Sequence, residues 1–267
     1  MANIAKLMGV EIANITKVMG VSKSTLSKIM GLDVASLPPV SGYVLWVDAS
    51  GLSTGTGINA ATTPVSNLGS QGGSFNDGTY DVTASAIGGK TALKFSGAQR
   101  LKSTNAYTNS GDNMTVFIVM QRITGTVAYA GAICSIFPGT QDYNDVRNWS
   151  YNDNNGSSQI QVERNAALLG ISDPDDGDDF IGTLKFNGTN CTHYIKKSAG
   201  SSSAGPTANT GTFGCTQTVI AARQSGTAGA IQQYLNCYVG EVLIYNTALS
   251  DADRQAVVDY LAAKWGI

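Results

Sequence analysis

From residue 43 onward, short apolar runs enriched in β-branched and aromatic residues alternate with clusters of Gly, Asn, Asp and Ser. The runs are YVLWV (43–47), TALKF (91–95), MTVFIVMQ (114–121), AGAICSIF (130–137), SQIQVE (158–163), DFIGTLKF (179–186), CTHYIKK (191–197), TQTVIAA (216–222) and CYVGEVLIY (237–245). Runs of this length bounded by turn residues read as strands. Their close, irregular spacing, with no helix of ordinary length between them, predicts a β-sandwich. The period changes only at the end. Ser250 and Asp253 resemble a capping box, and Val257, Val258, Leu261 and Trp265 follow at helical spacing. One amphipathic helix is therefore predicted there, packed on the sandwich, with Lys264 near its C-terminal end, where a cation is favoured.

The first 36 residues carry a different pattern. Residues 4–14 (IAKLMGVEIAN), 15–25 (ITKVMGVSKST) and 26–36 (LSKIMGLDVAS) are three copies of one eleven-residue unit in register. Asn3, Asn14 and Thr25 precede the copies as N-caps would, and Gly9, Gly20 and Gly31 sit where a helix C′ glycine would. The unit thus predicts a cap, about one helical turn and a stop, three times over. The competitor is a continuous helix with a 3.67-residue period and a right-handed coil, which three interior glycines would weaken by roughly 1 kcal/mol each. A five-residue helix does not repay its nucleation alone. The apolar positions Ile4, Leu7, Met8, Val10, Ile15, Val18, Met19, Val21, Leu26, Ile29, Met30 and Leu32 therefore need a partner surface, and they are the candidate oligomerisation and anchoring residues. The stretch 15–32 superficially resembles a DNA-binding helix-turn-helix. Glycine would stop its recognition helix early, and the first copy would go unexplained. Two prolines in LPPVSG (37–42) bar helix continuation and mark a stiff linker.

Composition narrows the function classes. Only 13% of residues are charged and 31 of 267 are Gly, which suits a loop-rich all-β protein in a durable assembly. The net charge of −2 gives no general reason to bind nucleic acid. Lys6, Lys17, Lys23 and Lys28 against Glu11 and Asp33 put +2 on the arm, which leaves −4 for the rest. A single histidine, His193, makes a zinc site improbable. The widely spaced Cys134, Cys191, Cys215 and Cys237 are expected to be free, mostly buried thiols. Lys and Gly interrupt the apolar residues at the N-terminus, so no signal peptide is expected. No stretch reaches the roughly 18 apolar residues of a membrane span.

Two segments carry candidate ligand chemistry. DYNDVRNWSYNDNNGS (142–157) sets Tyr143, Arg147, Trp149 and Tyr151 among amides and carboxylates, which is what a sugar site needs: stacking surfaces plus orienting polar groups. The competing reading is a strand pair with a hairpin turn and core-facing aromatics. SDPDDGDDF (172–180) gathers Asp173, Asp175, Asp176, Asp178 and Asp179 around a glycine, a cluster that suits Ca²⁺, or else a solvated turn before a strand. Trp46 and Trp265 read as core. Catalysis is not expected. Glu11, Glu163 and Glu241 are the only glutamates; Asp pairs stay open, but no strand presents the Glu-x-Asp-x-Glu pattern that glycoside hydrolysis on this kind of sandwich uses, and Gly-x-Ser-x-Gly is absent.

YVLWVDASGL (43–52), GGKTALKFSGAQRLKS (88–103), MTVFIVMQ and above all GEVLIYNTALSDADRQAVVDYLAAKWGI (240–267) resemble concanavalin A-like, laminin-G-like jelly-roll domains. The resemblance covers about residues 43–267. It implies a mainly β chain: a jelly-roll sandwich with one C-terminal helix, preceded by a short helical repeat arm (1–36) and a Pro-rich linker (37–42). Such domains serve adhesion, glycan binding and structure, and occur in bacterial surface proteins and in bacteriophage fibres and decoration proteins; calcium is known among them. The function expected is a non-enzymatic virion structural protein of a bacteriophage, a head fibre, decoration or tail-fibre component on the particle exterior. Its expected partners are itself, as a homo-oligomer and foremost a trimer, capsid or other virion proteins through the arm, and host-surface glycans. No nucleic acid is expected among them. The alternatives are a bacterial cell-surface adhesion or carbohydrate-binding module and, less favoured, a DNA-binding regulator.

Overall fold

The computed structural model describes residues 37–103, 109–111, 113–123, 130–136, 149–153, 160–164, 167–171, 174–188, 190–208, 213–215, 217–225 and 230–267, together with six dipeptides of the arm. Those dipeptides are β1 (Lys6–Leu7), β2 (Val10–Glu11), β3 (Lys17–Val18), β4 (Val21–Ser22), β5 (Lys28–Ile29) and β6 (Leu32–Asp33). They pair antiparallel within each repeat, with Leu7 opposite Val10, Val18 opposite Val21, and Ile29 opposite Leu32. The one-turn helix predicted for each unit is thereby corrected to a minimal β-hairpin. Two residues, Met then Gly, separate the strands in every copy, and a two-residue connection containing Gly is what tight hairpins favour. The six paired apolar residues were all among the candidate anchoring positions. The other six, Ile4, Met8, Ile15, Met19, Leu26 and Met30, lie outside the described residues.

The rest is the expected mainly β fold with one C-terminal helix. Its strands are β7 (Tyr43–Asp48), β8 (Gly55–Asn59), β9 (Val65–Ser66), β10 (Ser74–Ile87), β11 (Lys90–Ser96), β12 (Arg100–Ser103), β13 (Asn109–Gly111), β14 (Asn113–Arg122), β15 (Gly131–Ile136), β16 (Trp149–Asp153), β17 (Ile160–Arg164), β18 (Ala167–Ile171), β19 (Asp179–Asn187) and β20 (Asn190–Lys197). They continue with β21 (Gly200–Ala208), β22 (Phe213–Cys215), β23 (Gln217–Ile220), β24 (Arg223–Ser225), β25 (Ala230–Gln232) and β26 (Asn236–Tyr245), and α1 (Asp251–Trp265) ends the fold. The main sheet runs β18-β17-β16-β15-β23-β12-β10-β11-β26-β14-β19-β20-β21, with β7 added to β26 and β8 and β9 added to β10. All its pairings are antiparallel, and β13–β22 and β24–β25 form separate small pairs.

The sheet turns over at β10. The first part of that strand, Phe75–Thr79, pairs with β12, and the second part, Asp81–Ile87, pairs with β11. Two layers result, and one apolar core joins them. Leu101, Ile133, Ile160 and Ile220 from one layer pack with Leu93, Val116, Leu184 and Val242 from the other. The far ends meet where β18 lies against β20 and β21.

The layer centred on β14 and β26 is covered on both faces, which is why its strands are near-continuous apolar runs. In β14, Val116, Ile118 and Met120 face the inter-layer core. Phe117 and Val119 face a second cluster built by Val257, Val258, Leu261 and Trp265 of α1. The helix begins as its sequence predicts: Asp253 N–H donates to Ser250 Oγ (3.1 Å), and the Ser250 hydroxyl donates to Asp253 Oδ2 (2.7 Å). It ends at Gly266, left-handed at φ 72°. The linker is docked on the sandwich: Leu37 and Val40 pack on the helix cluster, and Tyr245 OH donates to the Val40 carbonyl (3.0 Å). Of the four cysteines, Cys191 and Cys237 are buried thiols outside any disulfide, as expected of them.

Candidate functional site

Three polar constellations stand out on this scaffold, and their burial separates their roles. The first is sealed beneath α1. Glu241 on β26 is 1% exposed. Its Oε1 accepts from Trp46 Nε1 (2.8 Å) and Tyr260 OH (3.3 Å), and its Oε2 accepts from Trp265 Nε1 (2.8 Å) and Lys264 Nζ (2.7 Å). Lys264 also reaches Asp48 Oδ2 at 2.8 Å. Burial raises the Glu241 pKa, the Lys264 charge opposes that rise, and the nearby Asp48 carboxylate adds to it. Every acceptor position of this carboxylate faces a donor from the chain itself, so the cluster is a clamp between β7, β26 and the helix. Trp46 and Trp265 belong to the core as expected, and each also spends its indole N–H on this acid. Lys264 does more than favour a helix end: it neutralises a buried carboxylate.

The second constellation is the aspartate loop. Asp176 Oδ1 lies 3.5 Å from Nε of the buried Arg122, whose guanidinium also donates to the Pro174 carbonyl. Asp178 Oδ2 accepts from Lys197 Nζ (2.7 Å) and from Asp175 N–H (3.2 Å), and the Lys197 hydrogen bond is the main cause of its lowered pKa. Asp179 accepts from Gln121 Nε2 (2.7 Å) and from Gly88 N–H (3.1 Å). Three of the five acids therefore fasten the turn to β14, β20 and the β10–β11 hairpin. Asp175 is exposed, and Asp173 lies outside the described residues. Among the described residues no group of three or more His, Cys, Asp or Glu is placed to hold a metal ion. Of the aromatic segment, Trp149 and Tyr151 lie in β16, opposite Arg164 and Val162 of β17, while Tyr143 and Arg147 lie outside the described residues.

The third constellation is open. The helix covers β26, β14 and part of β19 but stops short of the β20–β21 edge, and a groove of about 170 Å³ remains beside its first two turns. Strand register builds its floor: Thr183 stands opposite Tyr194, which stands opposite Ser203, and Ile181, Lys196 and Ser201 form the next row. Arg254 from α1 lies over the Tyr194 ring, its Cζ 4.2 Å from the centroid. Its Nη2 donates to Gln255 Oε1 at 3.3 Å, and its Nε is buried with no acceptor. The acids of the helix are bonded elsewhere, Asp251 to Lys185 (3.0 Å), Asp253 to Ser250 and Asp259 to Gln255 (2.8 Å), while the Arg254 charge also acts on Asp251. Sequence reasoning missed this groove. The alternation in CTHYIKK does place Tyr194 and Lys196 on one strand face, but nothing local joins them to a helix sixty residues later.

No protein-family model matches the chain, and no curated protein matches it. Solved structures do match. One is the ligand-binding domain of botulinum neurotoxin serotype D in complex with N-acetylneuraminic acid, with TM-score 0.52 and 13% identity over 82% of this chain and 50% of that one. The chain has a concanavalin-like jelly-roll fold. A Trypanosoma rangeli sialidase gives TM-score 0.53 and 11% identity over 95% of this chain and 37% of that one. A GH54 α-L-arabinofuranosidase gives 0.54 and 12% over 84% and 60%. The chain thus spans half or less of the first two proteins, and identities this low carry the fold alone. Among the described residues no helix is long and apolar enough to cross a membrane.

Proposed function

We propose that this chain is a non-enzymatic structural protein of a bacteriophage virion. Residues 1–36 anchor and oligomerise it, and its jelly-roll domain, carried on the particle exterior, binds host-surface glycans. The observation that carries the reading is the union of two unlike parts. Three hairpins identical in register precede the sandwich, and the linker after them is packed onto it through Leu37 and Val40. A two-stranded hairpin of this length is not stable alone in water. The arm therefore needs a partner, and further copies of the same arm or a capsid surface supply one. A docked linker hands the domain's position to whatever holds the arm.

Two observations support the glycan half. The solved structures of this fold include a domain bound to N-acetylneuraminic acid. The described residues also hold an open groove with hydroxyl, aromatic and cationic side chains. The non-enzymatic half is supported by Glu241, which is enclosed by four donors and serves the helix.

Light scattering on the full chain and on a chain starting at Leu37 tests the arm. The expected result is a defined oligomer that becomes a monomer on truncation, and an unchanged mass would remove the assembly role. Screening the full chain on a glycan array tests the head, for which retention of at least one glycan class is expected. Uniform absence of binding would overturn that half and leave a purely structural domain.

A further inference from the structure

The groove beside α1 carries a narrower assignment, which rests on the glycan-binding reading. We propose that it is a site for an anionic sugar and that Arg254 takes the sugar's carboxylate. Three features of the groove lead there.

The first is an unspent guanidinium. Arg254 lies over the Tyr194 ring, the one hydrogen bond of its guanidinium is a long contact to the neighbouring Gln255 amide, and its buried Nε has no acceptor. A buried donor without an acceptor is costly, so its persistence calls for a reason. The three acids of the helix already bond to Lys185, Ser250 and Gln255; Asp251 feels the Arg254 charge but makes no hydrogen bond to it. Contact with the ring restrains the guanidinium before any ligand arrives, which reduces the ordering cost of a carboxylate contact.

The second feature is the ladder of hydroxyls. Tyr194 and Ser203, with Ser201 in the next row, stand across adjacent strands on the same face, and Lys196 adds a second cation. A sheet face of this kind offers donors and acceptors at strand spacing, which suits the several hydroxyls of one sugar better than a single inorganic anion. The third is size and floor. A space of about 170 Å³ admits roughly one sugar ring, and Ile181 and Val258 give its C–H face an apolar surface. A peptide helix exceeds this space.

Titration of the ¹⁵N-labelled full chain, followed by NMR, tests the proposal. The probes are N-acetylneuraminic acid and glucuronic acid, with glucose and acetate as controls. The expected result is that at least one acidic sugar shifts the amides of Tyr194, Ser203 and Arg254 in a saturable way, at least tenfold more tightly than glucose or acetate. Arg254→Gln should weaken that binding at least tenfold with an unchanged unfolding temperature, and Arg254→Lys should fall between, because it keeps the charge and loses the planar fork. Shifts confined to other faces, equal binding of glucose, equal binding of acetate, or full affinity in Arg254→Gln would each overturn the assignment. The same variant on the glycan array separates the two readings. Undiminished binding there removes the groove and keeps glycan recognition, whereas an array on which the parent chain binds nothing removes glycan recognition itself.

Discussion

His193 makes this fold sensitive to acid. It lies on β20 between Leu184 of β19 and Ala204 of β21, is fully buried, and hydrogen-bonds to the backbone of Leu169 on β18. It therefore sits where the two layers meet at their far ends. Burial pushes its pKa from 6.5 down to about 3, against a smaller opposing effect of the Leu169 hydrogen bond. The folded state thus keeps the ring neutral while the unfolded chain takes up a proton below about pH 6.5. The unfolded state binds more protons over this window, so stability is fully present above pH 6.5, falls as pH drops, and stops falling below about pH 3. At pH 5 the loss is about 2 kcal/mol, and the limiting loss is about 5 kcal/mol. Carboxylates titrate as well, so the comparison needs a partner chain. His193→Gln keeps an amide donor near Leu169 and cannot titrate. Urea unfolding of both chains at pH 7.5 and pH 5 should show the parent losing about 2 kcal/mol more than the variant. As the chain has one histidine, its imidazole proton resonance is unambiguous and should hold still down to about pH 4. Equal losses in the two chains, or a folded-state midpoint near 6.5, would refute the reasoning.

Other outcomes follow from the same geometry. Glu241→Ala leaves two indole N–H groups without an acceptor under the helix and takes from Lys264 one of its two carboxylate partners, Asp48 remaining, and chemical denaturation should read a loss of about 2–5 kcal/mol. Trp46→Phe removes one of those bonds and should cost far less, about 1 kcal/mol for the hydrogen bond itself. A Cβ on Gly88 would stand 1.5 Å from the Trp265 carbonyl oxygen, at a backbone φ of +51°. Gly88→Ala should therefore lower the unfolding temperature by several degrees and loosen the helix C-terminus, visible as faster amide exchange at Gly266. Since Asp176, Asp178 and Asp179 already accept from Arg122, Lys197, Gln121 and Gly88, millimolar calcium should leave the unfolding temperature unchanged; a calcium-dependent rise would mean that an ion displaces these donors.

Wherever a local pattern was enough, the sequence alone determined the outcome. The apolar runs at 43–47, 114–121, 179–186 and 237–245 became the central strands because a run buried on both faces needs no alternation to be recognised. The capped helix followed from Ser250, Asp253 and a 3.6-residue stripe, all within one segment. The three eleven-residue repeats were plain, but their conformation was not. Met-Gly serves both as a helix stop and as a two-residue hairpin connection, and a unit that short has too few neighbours for propensity to decide between them. The fourteen-residue β10 and the Ser-rich β21 gave no apolar signal, because each pairs along an edge or a corner where only some positions are buried. The polar clusters depended on tertiary structure most of all. Glu241 meets Trp46 across 195 residues, Arg122 meets the aspartate loop from another strand, and Arg254 meets Tyr194 only because the first turns of the helix run beside β19, within reach of β20. A side chain's chemistry is written at its own position, whereas its burial and its partner are set by the packing of layers that no local window contains.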